Sequence, residues 1–133
     1  MINFILVSHG QMAAGIMNAA ELISGKHNGV EVIDLKESDP IEELNNRMEK
    51  AILKLKESSD GIIIMVDLFG ASPFNVSSLT SAKFENVDVI TGLNLPMLLE
   101  TLLQRESLTL KEIVTLAKQS GIDGIKVLSN LTK

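Results

Sequence analysis

The sequence predicts an open α/β fold with a doubly wound, mostly parallel five-stranded sheet and helices on both faces. Short apolar runs alternate with amphipathic helical patterns, and such alternation is typical of parallel strands joined by right-handed helical crossovers. The run over residues 61–66 is apolar throughout, as expected for a central strand covered on both faces. A length of 133 residues suits a single domain, which we expect to comprise residues 1–133.

The predicted elements follow one another in the order βαβαβαβααβ. Each strand is a short run of apolar residues, and each helix has apolar residues at spacings of three and four. The strands are predicted at residues 2–7, 30–34, 61–66, 87–91 and 122–128. The helices are predicted at residues 12–24, 40–57, from 72 onward, 95–103 and 109–121.

Capping residues mark several of these helix boundaries. Gly25 follows the first helix and suits the left-handed conformation at a helix end. Asp39 is the predicted N-cap of the second helix, with Pro40 in its first position. Ser72 and Pro73 are expected to play the same two roles in the third helix.

The last two elements are defined by a capping box and by glycines. Thr109 and Glu112 have the spacing of a reciprocal capping box, and Gly121 is the expected end of that helix. Residues 122–128 then predict a last strand at the sheet edge. Gly124 and the neighbouring charges favour an antiparallel strand or one exchanged between subunits.

Composition excludes several classes of function. The chain has no cysteine, so it has no disulfide or thiol chemistry. A net charge of −5, with no Trp or Tyr, disfavours nucleic-acid binding, which needs cations and stacking side chains. No apolar run approaches the roughly 20 residues of a membrane span, and the first residues do not resemble a signal peptide. We therefore expect a cytoplasmic protein.

Two turns at the carboxyl ends of predicted strands carry the candidate chemistry. His9 follows the first strand and Asp67 follows the third; ligands bind at this edge of open α/β sheets. A carboxylate that accepts a hydrogen bond from Nδ1–H leaves Nε2 free as a nucleophile. The turn formed by Gly70, Ala71 and Ser72 leads into a helix N-terminus, which favours anions.

Together these features predict a histidine that receives a phosphoryl group. Gly10 would give a bulky group room beside His9, and Gly70, Ala71 and Ser72 would bind phosphoryl oxygens. No acidic cluster indicates a metal and no Walker pattern indicates a nucleotide. We therefore predict no cofactor, with the phosphoryl group arriving from one protein and leaving to another.

Each of these residues also has a purely structural interpretation. A histidine after a strand is more often a hydrogen-bonded turn residue, and Asp67 could simply cap its turn. The pair Ser72-Pro73 is first of all a helix start. His27 lies in a polar turn and is expected to be solvated. On the residues alone, these alternatives remain open.

Three separate motifs resemble the mannose-family EIIA domain of the bacterial sugar phosphotransferase system. They are FILVSHG at residues 4–10, MVDLFGASPFN at residues 65–75 and TGLNLPMLLE at residues 91–100. They occur in the family's order and at its spacing, and the similarity extends over nearly the whole chain. Phe69 stands where some members of the family carry Trp.

The resemblance implies a role for each predicted site residue and a set of partners. His9 would accept a phosphoryl group from phosphorylated HPr and pass it to an EIIB component, with Asp67 holding its ring. It also implies a homodimer with an exchanged final strand, and an indirect link to the membrane components EIIC and EIID. Because the chain ends at Lys133, EIIB is expected to be a separate polypeptide.

Three other functions fit parts of the pattern. The phosphotransfer subunit of dihydroxyacetone kinase also has a histidine after its first strand. A receiver domain would be phosphorylated on an aspartate at the position of Asp67, but it needs acidic residues where this chain has Ser8 and His9. A regulatory module would keep the fold and only bind partners.

Overall fold

The computed structural model describes residues 1–132 and contains four strands and six helices within them. The elements alternate as expected for parallel strands with helical crossovers. In chain order they are β1 Ile2–His9, α1 Met12–Ser24, β2 Val30–Leu35, α2 Ile41–Lys56, β3 Gly61–Val66, α3 Ser72–Ser81, β4 Val87–Thr91, α4 Leu95–Gln104, α5 Leu110–Asp123 and α6 Leu128–Leu131.

The sheet is parallel throughout, with strand order β2-β1-β3-β4. The chain therefore leaves β1 toward one side for β2 and returns to the other side for β3. The carboxyl ends of β1 and β3 lie side by side at this reversal. In open α/β sheets, ligands bind in the crevice at such a topological switch point.

Two apolar layers cover the sheet. Successive side chains in a strand point to opposite faces of the sheet. Each of β1 and β3 therefore contributes side chains to both layers. One layer packs α1, α4 and α5 against Phe4, Leu6 and Met65. The other packs α2 and Val76 of α3 against Ile5, Val7 and neighbouring strand residues. Burial on both faces explains why β1 and β3 are apolar without alternation.

The prediction of a fifth strand at the sheet edge is wrong. The described residues form a four-stranded, all-parallel sheet with no antiparallel edge strand. Helix α5 continues through Gly121 to Asp123, because this glycine permits a close helix contact: a Cβ there would lie 3.0 Å from the Met97 methyl group. The predicted strand residues are therefore divided between the end of α5, an unpaired segment and the start of α6.

Two predicted N-caps also differ from the structure. Pro40, with extended backbone angles, is itself the N-cap of α2, and Ala71 is the N-cap of α3. The Asp39 carboxylate instead accepts hydrogen bonds from the Lys36 N–H and from Arg47. The capping box of Thr109 with Glu112 is present as predicted.

Arg105, just beyond α4, ties the amino end of β1 to the turn before β2. Its guanidinium donates to the carbonyls of Ile2 at 2.9 Å and Asn28 at 2.6 Å, and to the Asn3 side chain at 2.9 Å. It also lies over the Phe4 ring. Burial lowers the pKa of this guanidinium, and its hydrogen bonds compensate for lost hydration.

Candidate functional site

The site forms where β1 and β3 end. The His9 Nδ1 atom lies 2.8 Å from Oδ2 of Asp67, and the His9 backbone N–H donates to the same oxygen at 2.9 Å. Asp67 is 10% exposed and the His9 side chain 50% exposed. One carboxylate oxygen thus holds both the backbone and the ring of His9, with the ring at the surface and the carboxylate behind it.

This contact fixes the tautomer of a neutral His9 ring. An ionised carboxylate only accepts hydrogen bonds, so the proton between the two groups belongs to Nδ1. The lone pair then resides on Nε2, on the other side of the ring. The second Asp67 oxygen, Oδ1, is buried and has no hydrogen-bond partner within residues 1–132. The hydrogen bonds that this carboxylate accepts from the described residues therefore all come from His9.

The backbone around His9 is anchored on both sides. The buried Ser8 hydroxyl accepts a hydrogen bond from the Ala13 N–H at 2.7 Å and so joins β1 to the first turn of α1. The Gly10 N–H donates to the Leu35 carbonyl at 2.8 Å. Gly10 has a φ of +56°, a conformation that a residue without a Cβ adopts at little cost. These bonds fix the turn that carries the imidazole.

The loop after β3 leads into the N-terminus of α3. Gly70 has a φ of +82°, and the Asn75 side chain donates to its carbonyl at 3.4 Å. Ala71 provides no side-chain cap for α3, and Pro73 lies in its first turn. The N–H groups at the start of a helix have no partner inside the helix, so this end of α3 favours an anion.

An open cleft with a volume of about 550 Å³ lies beside the imidazole. His9, Gly10 and Ser72, the last from the start of α3, all line it, so these three predicted residues meet. Asp67 lies behind the ring, while Gly70 and Ala71 belong to the turn before α3 and do not line the cleft. The other lining residues come from the end of β2, the loop after it and the start of α2: Leu35, Lys36, Glu37, Asp39 and Ile41.

Sequence reasoning missed two features of this site. Sequence reasoning assigns Ser8 no role at the site, and it leaves out the loop that contains Lys36 and Glu37. The strand order explains the second omission, because β2 lies beside β1 and its loop reaches the same edge. A signal was present, since Lys36 and Glu37 follow a predicted strand as His9 and Asp67 do.

No group of three or more His, Cys, Asp or Glu side chains in residues 1–132 could hold a metal ion. No helix in that range is long and apolar enough to cross a membrane.

Fold and site define a class: parallel α/β domains with a surface histidine held by a carboxylate at the topological switch point. Comparison with known proteins gives the family. Residues 3–118 match the model of the EIIA-man family, described as the fructose IIA component of the phosphotransferase system. The chain belongs to this mannose/fructose family of EIIA components of the sugar phosphotransferase system.

Individual relatives agree with this assignment. The chain is 34% identical over 128 residues to the mannose-specific EIIAB component of Escherichia coli K12, which covers 96% of this chain and 39% of that protein. It is 28% identical to the fructose-specific EIIA component of Bacillus subtilis, covering 97% and 88% of the two chains. The chain thus spans about two fifths of the E. coli relative and most of the B. subtilis one.

A solved structure shows the same architecture. The EIIA component of Streptococcus agalactiae superposes with a TM-score of 0.85 at 32% sequence identity, covering 98% of this chain and 99% of that one. The prediction of a mannose-family EIIA domain, made from the three motifs, is confirmed by the family match. The roles of the individual site residues remain predictions.

Proposed function

We propose that His9 accepts a phosphoryl group from phosphorylated HPr and passes it to an EIIB component during sugar uptake. The membrane components EIIC and EIID would be reached only through EIIB, and the protein would work in the cytoplasm. The observation that supports this most directly is the 2.8 Å contact between His9 Nδ1 and Asp67, with the ring half exposed. It provides an oriented nucleophile that a partner protein can reach.

In the proposed reaction, the Nε2 lone pair of His9 attacks the phosphorus atom. The Nε2–P bond forms as the bond from phosphorus to the donor imidazole breaks, and the electron pair of that bond returns to the donor. The Nδ1 proton stays between the ring and Asp67, whose negative charge stabilises the positive charge that develops on the ring. Transfer to EIIB reverses these events with a different acceptor.

The same cleft supplies groups that would stabilise the phosphoryl oxygens. Ser72 lines it at the first turn of α3, where free N–H groups and the helix dipole attract negative charge. The Gly10 N–H is committed to Leu35, so Gly10 would contribute space. Gly70 and Ala71 would set the direction of α3. In-line transfer depends mainly on positioning and charge stabilisation, which this arrangement provides.

An apolar surface beside His9 would contact the partner proteins. Leu68 is 59% and Phe69 73% exposed in the loop that follows Asp67. The Phe69 ring packs against Phe74 with a centroid distance of 4.7 Å, which restrains an otherwise exposed side chain. Aromatic side chains are enriched among residues that dominate binding energy at interfaces. HPr and EIIB would both use this surface, because each must approach the same nitrogen.

A homodimer remains part of the proposal, without an exchanged antiparallel strand. Exposed apolar residues are concentrated in the last part of the described chain. They are Ile122, Ile125, Val127, Leu128 and Leu131. A second copy would cover them, because such patches on soluble domains commonly mark interaction sites. Sedimentation equilibrium tests this: a dimer for the wild type and a monomer for Ile125→Glu are expected, whereas a monomeric wild type excludes it.

The central experiment follows transfer of labelled phosphate from phosphorylated HPr. We expect wild-type protein and His27→Ala to be labelled, and His9→Ala to remain folded but unlabelled. His27 is the matched control because the chain has two histidines and His27 bonds to Ser24 instead of lying at this site. Normal labelling of His9→Ala would overturn the proposal.

The chemistry of the label and its onward transfer separate the alternatives. Phosphohistidine is labile in acid and stable in base, whereas a base-labile label would identify an acyl phosphate, as in a receiver domain. Onward transfer to EIIB is expected of a carrier. Labelling without onward transfer would indicate a regulatory module instead.

A further inference from the structure

We propose that Lys36 is a positioning residue for the phosphoryl group on His9, acting through its positive charge from the loop after β2, which lines the same cleft. The inference rests on the proposed function, and it adds a residue from β2 and its loop to a site otherwise formed by β1 and β3. It would also give the cleft a general affinity for small phosphate-like anions.

The strand register brings Lys36 to the site. His9 pairs with Leu35 across β1 and β2, and the Gly10 N–H donates to the Leu35 carbonyl at 2.8 Å. Lys36 is the next residue, and it lines the same cleft as His9 and Ser72. Neighbouring strands are about 4.8 Å apart, so the flexible four-carbon stem of a lysine can carry its ammonium group toward a phosphoryl group on Nε2.

The backbone at Lys36 is held independently of its ammonium group. Its N–H donates to the Asp39 carboxylate at 2.9 Å. Arg47 in turn donates to that carboxylate at 3.1 Å and to the Asp34 carbonyl at 2.9 Å. A change at the end of the Lys36 side chain therefore leaves these bonds in place, so its effect on the site reports charge.

The charges around the cleft leave Lys36 available for an anion. Within residues 1–132, its ammonium group is in no ion pair, while Asp39 pairs with Arg47 and Asp67 with His9. Glu37 lines the same cleft with the opposite charge and would repel a phosphoryl group. Because the cleft is open, the attraction by Lys36 is screened by salt.

The first test uses phosphoramidate, a small donor that needs no protein partner. We expect Lys36→Gln to slow labelling of His9 about three- to tenfold at low salt. In 0.5 M salt, the ratio of the wild-type rate to the variant rate should approach one. Lys36→Arg should restore most of the rate. Lys50→Gln is the matched control, because Lys50 is exposed on α2 and does not line the cleft, and its rate should equal that of the wild type.

The possible results are distinguishable. An unchanged rate for Lys36→Gln would overturn the inference. A loss that is equal at all salt concentrations and is not restored by arginine would overturn it too, since it would indicate a structural role. In either case wild-type His9 is still labelled, so the proposed function would stand.

A second measurement does not depend on transfer. Inorganic phosphate is titrated into unphosphorylated protein while the backbone amide resonances of Gly10 and Ser72 are followed. The wild type should bind at least threefold more tightly than Lys36→Gln, and equal affinities would overturn the inference. If wild-type His9 takes no label but phosphate binding depends on Lys36, the proposed function fails while the role of Lys36 in binding anions remains.

Discussion

Replacing Asp67 with asparagine removes one negative charge from the site while keeping nearly the same shape. The amide oxygen can still accept hydrogen bonds from the His9 ring and backbone, so the fold and the position of the ring should persist. The amide NH₂ replaces Oδ1, which is buried without a partner. An unsatisfied buried donor costs about 1–3 kcal/mol of stability, so transfer must be measured well below the melting temperature.

The kinetic effect follows from the charge on the ring in the transition state. With Nδ1 and Oδ2 separated by 2.8 Å, the centres of charge of the ring and the carboxylate are about 4 Å apart. At this distance the Coulomb attraction between two unit charges is about 4 kcal/mol at an effective dielectric constant near 20 and about 1 kcal/mol in water. The half-exposed ring and the mostly buried carboxylate lie between these limits. Loss of about 1–3 kcal/mol of transition-state stabilisation slows transfer roughly 5- to 150-fold.

The assay measures the rate of His9 labelling by phosphoramidate and by phosphorylated HPr. Asp88→Asn is the matched control, because this exposed aspartate lies near the amino end of β4 and accepts a hydrogen bond from the N–H of its neighbour Val89. It should transfer at the wild-type rate. In ¹⁵N spectra of the neutral ring, wild-type His9 should carry its proton on Nδ1. Wild-type transfer rates in Asp67→Asn, with the ring still protonated on Nδ1, would refute the electrostatic argument.

Three further changes test other parts of the molecule. Phe69→Ala should slow transfer from phosphorylated HPr about tenfold, because an aromatic side chain is lost from the interface, while labelling by phosphoramidate stays normal. Equal effects on both donors would exclude a docking role for Phe69. Arg105→Met should lower the free energy of unfolding by about 3 kcal/mol, because buried carbonyls lose a charged hydrogen-bond donor. A free energy of unfolding from a urea melt within 1 kcal/mol of the wild-type value would contradict this. Thr109→Ala should cost about 1 kcal/mol in the same melt. The hydrogen bond from the Thr109 N–H lowers the pKa of Glu112. The stability that the Glu112 carboxylate contributes is therefore complete above the ordinary pKa of a glutamate and is lost as pH falls through the lowered value. In Glu112→Gln, this loss of stability in acid should be absent.

The sequence predicts well what is encoded locally. The first four strands are predictable because each is a short, mainly apolar run bounded by turn residues, and the capping box of α5 is formed by neighbouring residues. The pairing of His9 with Asp67 needed one more assumption, that the first and third strands are neighbours. Doubly wound sheets of order 2-1-3-4 make them neighbours, whereas those of order 3-2-1-4 do not.

The features that the sequence does not predict depend on contacts between residues that are distant in sequence. Gly121 has the local character of a helix end, and only the packing of α4 against α5 shows that it serves a close contact. The residues after it have the composition of a strand, but α5 continues through Gly121 and the segment that follows pairs with no strand among the described residues. Likewise, the place of Lys36 in the site depends on which strand lies beside β1.

The single oxygen shared by the backbone and the ring of His9 has a consequence for recognition. Swinging the ring outward would break its bond to Asp67, while the backbone N–H bond to the same oxygen keeps that carboxylate in register with the end of β1. In the proposed reaction, donor and acceptor proteins would each bring their reactive atom to a ring of defined orientation. Selectivity among partners would then depend on how well each one fits the rim around that ring.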